Sequence, residues 1–303
     1  MISTLPPFTI LHPKTLAEAS LALHDGAVLV AGACALIPKL RSGIVTADRL
    51  VSLDRVPELN NLSAHPRSGL RIGASVRAAR LLPDIWTGKR FAAVHEAVEQ
   101  FDAPHIARMS TVAGNLCAAR PDHDLAVALV AMGAEVTLQG VEGTRQIDLA
   151  SFLQAPDRPA LMRGEILTQI VCPGPGTDGG SAFKKLPLVR RHADAPRRLS
   201  VAAAIRYGTE RHKIIAATLV LGGVCLPWRA RVDGLVGEIA DDLLFQRAAE
   251  AAAGLAPALL GADAPLRRQA IALLRDCMAQ ANARALARHD HFDDADELAA
   301  ESA

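Results

Sequence analysis

The stretch Val28-Leu29-Val30-Ala31-Gly32-Ala33-Cys34-Ala35-Leu36-Ile37-Pro38 decides the fold prediction, because an apolar run meets a turn of small residues there. Residues 27–31 form a continuous apolar run of strand length, which is typical of a strand buried on both faces. Gly32 ends this run, and a helix is predicted over residues 34–40. Another helix is predicted over residues 15–23, so the chain is predicted to begin as helix, strand, glycine turn and helix.

Such a turn has two interpretations. It exposes unpaired backbone N–H groups that can hold a pyrophosphate without any positive side chain. It is also the form of an ordinary strand-to-helix turn, in which small residues only allow close packing. On this stretch alone, the packing interpretation is favoured.

A second loop of small residues, Thr111-Val112-Ala113-Gly114-Asn115, precedes Pro121 and Asp124. Two loops of this kind can close on one ligand. Asp124 suits the start of a helix, where it can stabilise the unpaired N–H groups, and that position is compatible with accepting a hydrogen bond from a ligand hydroxyl.

Away from these loops, the sequence indicates strands and helices on both sides of a linker rich in glycine and proline at residues 173–180. Before the linker, strands are predicted at 49–53, 70–74, 134–138 and 145–149, and helices at 90–101 and 124–132. After it, strands are predicted at 182–188, 200–207 and 214–222, and helices at 241–254 and 265–288. These patterns predict an α+β protein with a domain boundary in the linker.

The composition excludes several classes of function. The 303 residues include 33 Lys and Arg against 32 Asp and Glu, a net charge of +1, and only 3% are aromatic. This balance argues against duplex DNA, and the scarcity of aromatic residues argues against stacking on single-stranded nucleic acid. No apolar stretch approaches the roughly 20 residues that a membrane-spanning helix requires.

The five cysteines, Cys34, Cys117, Cys172, Cys225 and Cys277, are odd in number and far apart in sequence. Neither a disulfide framework nor a metal or iron–sulfur motif is therefore indicated, and a reducing cytoplasm suits them. The N-terminus shows no basic segment followed by a long apolar run, which argues against a secretory signal. The expected localisation is cytoplasmic.

Taken together, several motifs in a fixed order resemble one family. They are VAGACALIP, ARMSTVAGNLCAARPDHDL, GEILTQIVCP, SAFKKL and TLVLGGV, and they extend the resemblance over nearly the whole chain, from about Phe8 to Arg288. The chain resembles the FAD-binding medium subunit of molybdenum hydroxylases, such as carbon monoxide dehydrogenase, xanthine dehydrogenase and 4-hydroxybenzoyl-CoA reductase.

The resemblance implies a fold. Residues 1–175 would form a bilobed FAD-binding domain of the vanillyl-alcohol oxidase (PCMH) type, with lobes at about 1–55 and 56–175. Residues 180–288 would form a three-stranded antiparallel sheet with a helical bundle, and residues 289–303 an acidic tail.

The resemblance also implies the residues that contact FAD. The first loop, Leu29, Val30, Ala31, Gly32, Ala33, Cys34, Ala35 and Leu36, would surround the pyrophosphate, and Thr111, Val112, Ala113, Gly114 and Asn115 would form the second loop. Asp124 would accept a hydrogen bond from an FAD hydroxyl, Leu167 and Phe101 would pack against the cofactor, and Lys184 would lie near the isoalloxazine.

The function implied is electron transfer inside a complex. FAD would receive electrons from a small partner subunit with two [2Fe–2S] clusters and pass them to NAD⁺, a quinone or another acceptor. A large molybdopterin-binding subunit would oxidise the substrate, and the assembly would be a heterotrimer or a dimer of heterotrimers. A free-standing flavin oxidoreductase is the third-ranked alternative.

Departures from the family pattern motivate the second-ranked alternative, a degenerate scaffold subunit with weakened FAD binding. The family commonly has Ala-Gly-Gly-Thr in the first loop, where this chain has Ala31, Gly32, Ala33 and Cys34. If the second glycine position requires a positive φ angle, Ala33 would be strained there. Cys34 is interpreted as a small buried residue rather than a redox thiol.

Two charged groups have default interpretations. Lys184, Lys185 and the arginines at 190, 191, 197 and 198 favour a solvated basic face, with cofactor or partner contact as the alternative. His289 and His291 stand in an acidic tail that could chelate metal, although a frayed tail is favoured.

Overall fold

The computed structural model describes residues 5–65, 68–83, 90–101, 103–176, 178–186, 199–208, 213–255 and 264–287. The arginines at 190, 191, 197 and 198 and the tail at 289–303 lie outside these ranges.

The N-terminal sheet is parallel. It contains β1 (Thr9–Leu11), β2 (Val28–Val30) and β3 (Arg49–Ser52) in the order β1-β3-β2, with α1 (Leu16–His24) and α2 (Leu36–Arg41) between the strands. The expectation that β2 is buried on both faces is wrong: its residues are only half-buried. The reason is position, since β2 lies at the sheet edge while β3 is central and buries Leu50 and Val51.

A second, antiparallel sheet follows. It contains β4 (Leu62–His65), β5 (Gly69–Gly73), β6 (Glu135–Gly140), β7 (Gly143–Asp148) and β8 (Ile166–Cys172) in the order β4-β5-β8-β6-β7. The predicted hairpin is confirmed, because β6 and β7 pair from Glu135↔Asp148 to Gly140↔Gly143.

Helices fill the chain between β5 and β6. They are α3 (Ala92–Glu99), α4 (Pro104–Met109), α5 (Val112–Cys117) and α6 (Asp124–Ala131); a short α7 (Leu149–Phe152) follows β7. All eight residues of α6 are buried, which explains why its sequence is apolar all round.

The C-terminal sheet contains β9 (Gly179–Lys185), β10 (Ser200–Tyr207), β11 (Ile214–Gly222) and β12 (Trp228–Ala230), in the order β12-β11-β10-β9 and antiparallel throughout. Two helices, α8 (Asp242–Leu255) and α9 (Ala264–Ala287), follow it. The expected three-stranded sheet is therefore corrected to four strands. The fourth, β12, has three residues directly after Pro227, too few for a recognisable alternation.

The C-terminal sheet separates two hydrophobic cores. Phe183, Ala202 and Val220 point into the first core, which also contains α6, while Ala182 and Ala203 point into the second core with α8 and α9. This is the alternation of successive strand residues between two faces. The packing against the first core is close, since a methyl group on Gly222 would lie 2.2 Å from Val127 Cγ2.

Candidate functional site

The first loop, residues 31–35 between β2 and α2, packs directly on the backbone of the second loop. A Cβ atom on Gly32 would lie 2.6 Å from the Met109 carbonyl oxygen and 2.7 Å from Ser110 Cα. No side chain larger than hydrogen fits at this contact without a backbone shift. The two loops predicted from sequence are thus brought together, and Gly32 is the residue that permits it.

Ala33 takes the conformation expected of a glycine. Its φ angle is 62°, in the left-handed region, where a Cβ atom costs roughly 1–2 kcal/mol. Its carbonyl oxygen accepts a hydrogen bond of 3.0 Å from Ile37 N in the first turn of α2. Alanine at position 33 therefore causes local backbone strain, but the loop still forms the turn into α2.

Cys34 follows in the same loop and is half-buried. Its Sγ atom lies 3.3 Å from the Gly32 carbonyl oxygen. Burial raises the pKa of the Cys34 thiol, against the weaker opposing influence of the Arg77 guanidinium. A thiol held protonated in this way is a poor nucleophile, which agrees with the interpretation of Cys34 as a packing residue.

The second loop is fixed by hydrogen bonds of its own. Thr111 caps α5, and its Oγ1 atom accepts a hydrogen bond of 3.1 Å from Gly114 N. Backbone bonds join the loop to the segment before it: Ala78 N donates to Ser110 O at 3.0 Å, and Val112 N donates to Val76 O at 2.9 Å. The Arg77 guanidinium also donates to the Met109 carbonyl oxygen.

Asn115 and His123 connect the second loop to the start of α6. His123 Nδ1 donates to the Asn115 carbonyl oxygen at 2.7 Å, which places the proton on that nitrogen. Burial lowers the pKa of His123, although this hydrogen bond and nearby Asp122 oppose the shift. The side-chain Oδ1 of Asn115 is buried without a hydrogen-bond partner among the described residues, as expected for a group that a ligand completes.

Asp124 is the first residue of α6 and is 4% exposed. Its Oδ2 atom lies 2.5 Å from Lys185 Nζ, and the side chains of Asp124 and Lys185 are 5% and 9% exposed. Lys185 Nζ also donates to the Gln100 carbonyl oxygen at 3.3 Å. The pair joins the start of α6 to β9.

Lys184 and Lys185 point to opposite faces of β9. Lys185 reaches Asp124 beside the second loop, whereas Lys184 follows Ala182 onto the face of the second core, where its charge acts on Cys277 of α9. The sequence assigned Lys184 to the site by its motif and Lys185 only to a basic group with cofactor or partner contact as the alternative. The favoured solvated face is wrong for Lys185, because its side chain is buried against Asp124. The alternation of side chains along a strand could have indicated this, because Lys185 lies on the same face of β9 as Phe183, which packs into the first core.

Leu167 and Phe101 lie in or against the first core. Leu167 is 3% exposed and pairs with Leu138 in the sheet, and Phe101 is half-buried at the end of the turn that follows α3. Leu167 shares this core with Val112 and Ala113 of the second loop, and Phe101 packs against the same core.

A strained bridge that the sequence did not predict joins α2 to the end of α5. Lys39 Nζ lies 2.5 Å from Asp157 Oδ1, and Asp157 N donates to the Ala119 carbonyl oxygen at 3.2 Å. Within the described ranges, the non-glycine residues with positive φ are Ala33, Ala119 and Asp157, at 62°, 43° and 59°. All three lie on the loops or on this bridge, and strain of this kind concentrates at functional sites.

The geometry defines a class of protein. Two backbone loops closed on each other, one glycine without room for a side chain, and a buried carboxylate at a helix start suit a dinucleotide cofactor with a diphosphate and hydroxyl groups. In the part of the chain that the structure describes, no group of three or more His, Cys, Asp or Glu side chains could hold a metal ion.

The chain belongs to the family described as the FAD binding domain in molybdopterin dehydrogenase, whose family model matches residues 6–175. FAD is therefore its cofactor, and the buried Asn115 Oδ1 and the cradle at Gly32 fit such a group. The chain is accordingly an FAD-binding oxidoreductase subunit of the molybdenum-containing dehydrogenases.

Named relatives agree with this assignment. The chain is 28% identical over 283 residues to the carbon monoxide dehydrogenase medium chain of Afipia carboxidovorans, covering 90% of this chain and 96% of that one. It is 29% identical over 222 residues to the glyceraldehyde dehydrogenase medium chain of Sulfolobus acidocaldarius, covering 72% and 76%.

A solved structure has the same fold. Carbon monoxide dehydrogenase from Hydrogenophaga pseudoflava superposes with a TM-score of 0.81 at 23% identity, covering 93% of this chain and 99% of the matched one.

Across the described ranges, no helix is both long enough and apolar enough to cross a membrane.

Proposed function

We propose that the chain is the electron-transferring FAD subunit of a molybdenum hydroxylase complex. The observation that carries the proposal is the closure of the first loop on the second at Gly32. His123 joins the second loop to the helix that begins with the buried Asp124. FAD, when bound, supplies the redox chemistry, because a flavin exchanges electrons singly or in pairs. The chain supplies binding, orientation and exclusion of water.

Each part of the site has a proposed role. In the second loop, the N–H groups of Val112, Gly114 and Asn115 already bond within the protein, so the diphosphate would be bound by the other backbone N–H groups of residues 29–36 and 111–115, without a cationic side chain. Asp124 accepts a hydrogen bond from an FAD hydroxyl. Leu167 and Phe101 provide apolar surface to the cofactor. Lys184, on the face of β9 opposite to Lys185, lies near the isoalloxazine or its access channel.

The proposed partners supply the remaining chemistry. A small subunit with two [2Fe–2S] clusters delivers electrons, and a large molybdopterin-binding subunit oxidises the substrate. The relatives support this arrangement because their names describe medium chains or subunits, as in the 6-hydroxypseudooxynicotine dehydrogenase complex subunit alpha of Paenarthrobacter nicotinovorans. The electron acceptor is NAD⁺, a quinone or another carrier. We place the complex in the cytoplasm.

The second candidate is a scaffold subunit with weakened FAD binding, favoured by one observation, the strained Ala33. Reconstitution separates the two. The purified full chain is mixed with FAD and gel-filtered, alone and with both partner subunits, and retained flavin is measured by visible absorption. The electron-transfer proposal expects stoichiometric flavin that is reduced when the small partner is reduced. Absence of retained flavin in both samples would refute it in favour of the scaffold.

A further inference from the structure

Two ion pairs join the N-terminal helices to the C-terminal elements. Asp124 of α6 pairs with Lys185 of β9, and Glu96 of α3 pairs with Arg284 of α9. In each pair the carboxylate comes from the N-terminal part and the cation from the C-terminal part. The two pairs differ in location. Glu96 accepts a hydrogen bond of 2.8 Å from the Phe183 backbone N–H. Asp124 follows His123, which donates a hydrogen bond to Asn115 of the second loop.

Stability alone does not account for the Asp124–Lys185 pair. Both side chains are almost fully buried, and removing two charges from water costs about as much as their attraction returns. An apolar pair of similar volume would serve packing equally well. A carboxylate in this position offers hydrogen-bond acceptors, which suit a donor such as a hydroxyl group on a ligand.

We infer that Lys185 is a positioning residue for the flavin cofactor, which fixes the Asp124 carboxylate to accept a cofactor hydroxyl and links the C-terminal sheet to cofactor binding. This inference rests on the proposed function. Lys185 has the required reach and rigidity: its Nζ atom is held by Asp124 Oδ2 at 2.5 Å and by the Gln100 carbonyl oxygen at 3.3 Å. It acts through Asp124 and is not itself required to touch FAD.

The link to the C-terminal sheet follows from thermodynamic reciprocity. Lys185 belongs to β9, so the sheet that carries it contributes to the conformation of Asp124 that binds FAD. If the ion pair strengthens FAD binding by a given free energy, then bound FAD strengthens the contact between β9 and α6 by the same free energy. FAD should therefore protect the backbone amides of β9 from hydrogen exchange in the wild-type chain.

The test compares single substitutions in the full chain by titration with FAD, with quenching of flavin fluorescence as the readout. Lys185→Met should weaken FAD binding about tenfold to a hundredfold, because a charge-assisted hydrogen bond to Asp124 is lost. Arg284→Met is the matched control: it breaks a second ion pair between the same two parts of the chain and should change the dissociation constant less than about threefold. Lys185→Arg should recover part of the loss.

Two outcomes would overturn the inference while FAD binding by the wild-type chain stands. One is an unchanged dissociation constant in Lys185→Met. The other is a larger loss in Lys184→Met than in Lys185→Met, which would assign the role to the lysine on the opposite face of β9. A wild-type chain that binds no FAD, even with its partners, would instead refute the proposed function and this inference with it.

Loss of folding is controlled by removing both charges. The double variant Asp124→Asn with Lys185→Met leaves no uncompensated buried charge, so it should fold when Lys185→Met does not. The inference expects the double variant to bind FAD as weakly as Asp124→Asn alone, since Lys185 acts only through Asp124. Additive losses, or wild-type affinity in the double variant, would contradict it.

Discussion

The two loops of the site reach one arrangement by different means. The second loop is held by a capping threonine, by His123 on the Asn115 carbonyl oxygen and by backbone bonds to the segment before it. The first loop has no side-chain cap at α2, contains the strained Ala33, and rests on the second loop through Gly32. The second loop is therefore held in place by its own contacts, whereas the first loop depends on the second loop for its position.

The largest expected effect comes from Gly32→Ala, which breaks the contact between the loops. The added methyl group would lie 2.6 Å from a backbone oxygen, so we expect a loss of about 3 kcal/mol in the free energy of unfolding, and loss of retained FAD. Urea unfolding measures the first and gel filtration with FAD the second. Gly234→Ala is the control, because no heavy atom lies within 4 Å of its added methyl group. Equal effects of both substitutions would refute the dependence of the first loop.

Thr111→Val should destabilise the second loop itself. It removes the hydroxyl that caps α5, at an expected cost of about 1 kcal/mol in the free energy of unfolding. Thr111→Ser keeps the hydroxyl and should recover most of that stability. The exposed Thr144→Val provides a background value, which we expect within about 0.5 kcal/mol of wild type. A Thr111→Val chain as stable as this background would show that the cap contributes nothing.

Ala33→Gly should relieve the first loop. Release of the left-handed strain is partly offset by the greater freedom of glycine in the unfolded chain, which leaves a gain of roughly 0.5–1 kcal/mol and tighter FAD binding. Ala17→Gly, on the exposed side of α1, should instead lose about 1 kcal/mol. Changes of the same sign at both positions would contradict the strain at Ala33.

The smallest effect concerns pH. Because burial lowers the pKa of His123, the unfolded chain binds its proton more readily, and the stability that depends on neutral His123 is lost as the pH falls below about 6.5. Unfolding free energies at about pH 7.5 and about pH 5.5 should differ more in wild type than in His123→Gln. The exposed His105→Gln should keep the wild-type difference. An identical pH dependence in His123→Gln would exclude this contribution.

Sequence predicted the fold best where an element is long and mostly apolar. Helix α6, predicted at 124–132, extends over Asp124–Ala131, and the strands predicted at 200–207 and 214–222 appear as Ser200–Tyr207 and Ile214–Gly222. It failed where position in the sheet matters. The apolar residues 28–30 do not reveal that β2 is an edge strand, and β12 is too short to show a pattern.

Site residues were predictable to the extent that they act locally. Gly32 and Thr111 belong to turn and cap motifs that a sequence shows directly, and the strain expected at Ala33 for a positive φ is confirmed by its angle of 62°. The ion pairs Asp124–Lys185 and Lys39–Asp157 were not predicted, because the partners lie far apart along the chain. Whether the residues of the two loops, Asp124, Leu167, Phe101 and Lys184 contact FAD stays a prediction.

Helix α6 is buried on every side and packs against α3, α5 and the C-terminal strands β10 and β11, so the segment matched by the family model does not cover its own apolar surface. The family match ends at residue 175, yet Phe183, Ala202 and Val220 beyond that point cover the helix that begins with Asp124. A recombinant fragment cut at the end of the match would expose this apolar surface and would be prone to aggregate. We therefore expect soluble expression of the cofactor-binding portion to require the C-terminal sheet as well, although the family model itself stops before that sheet.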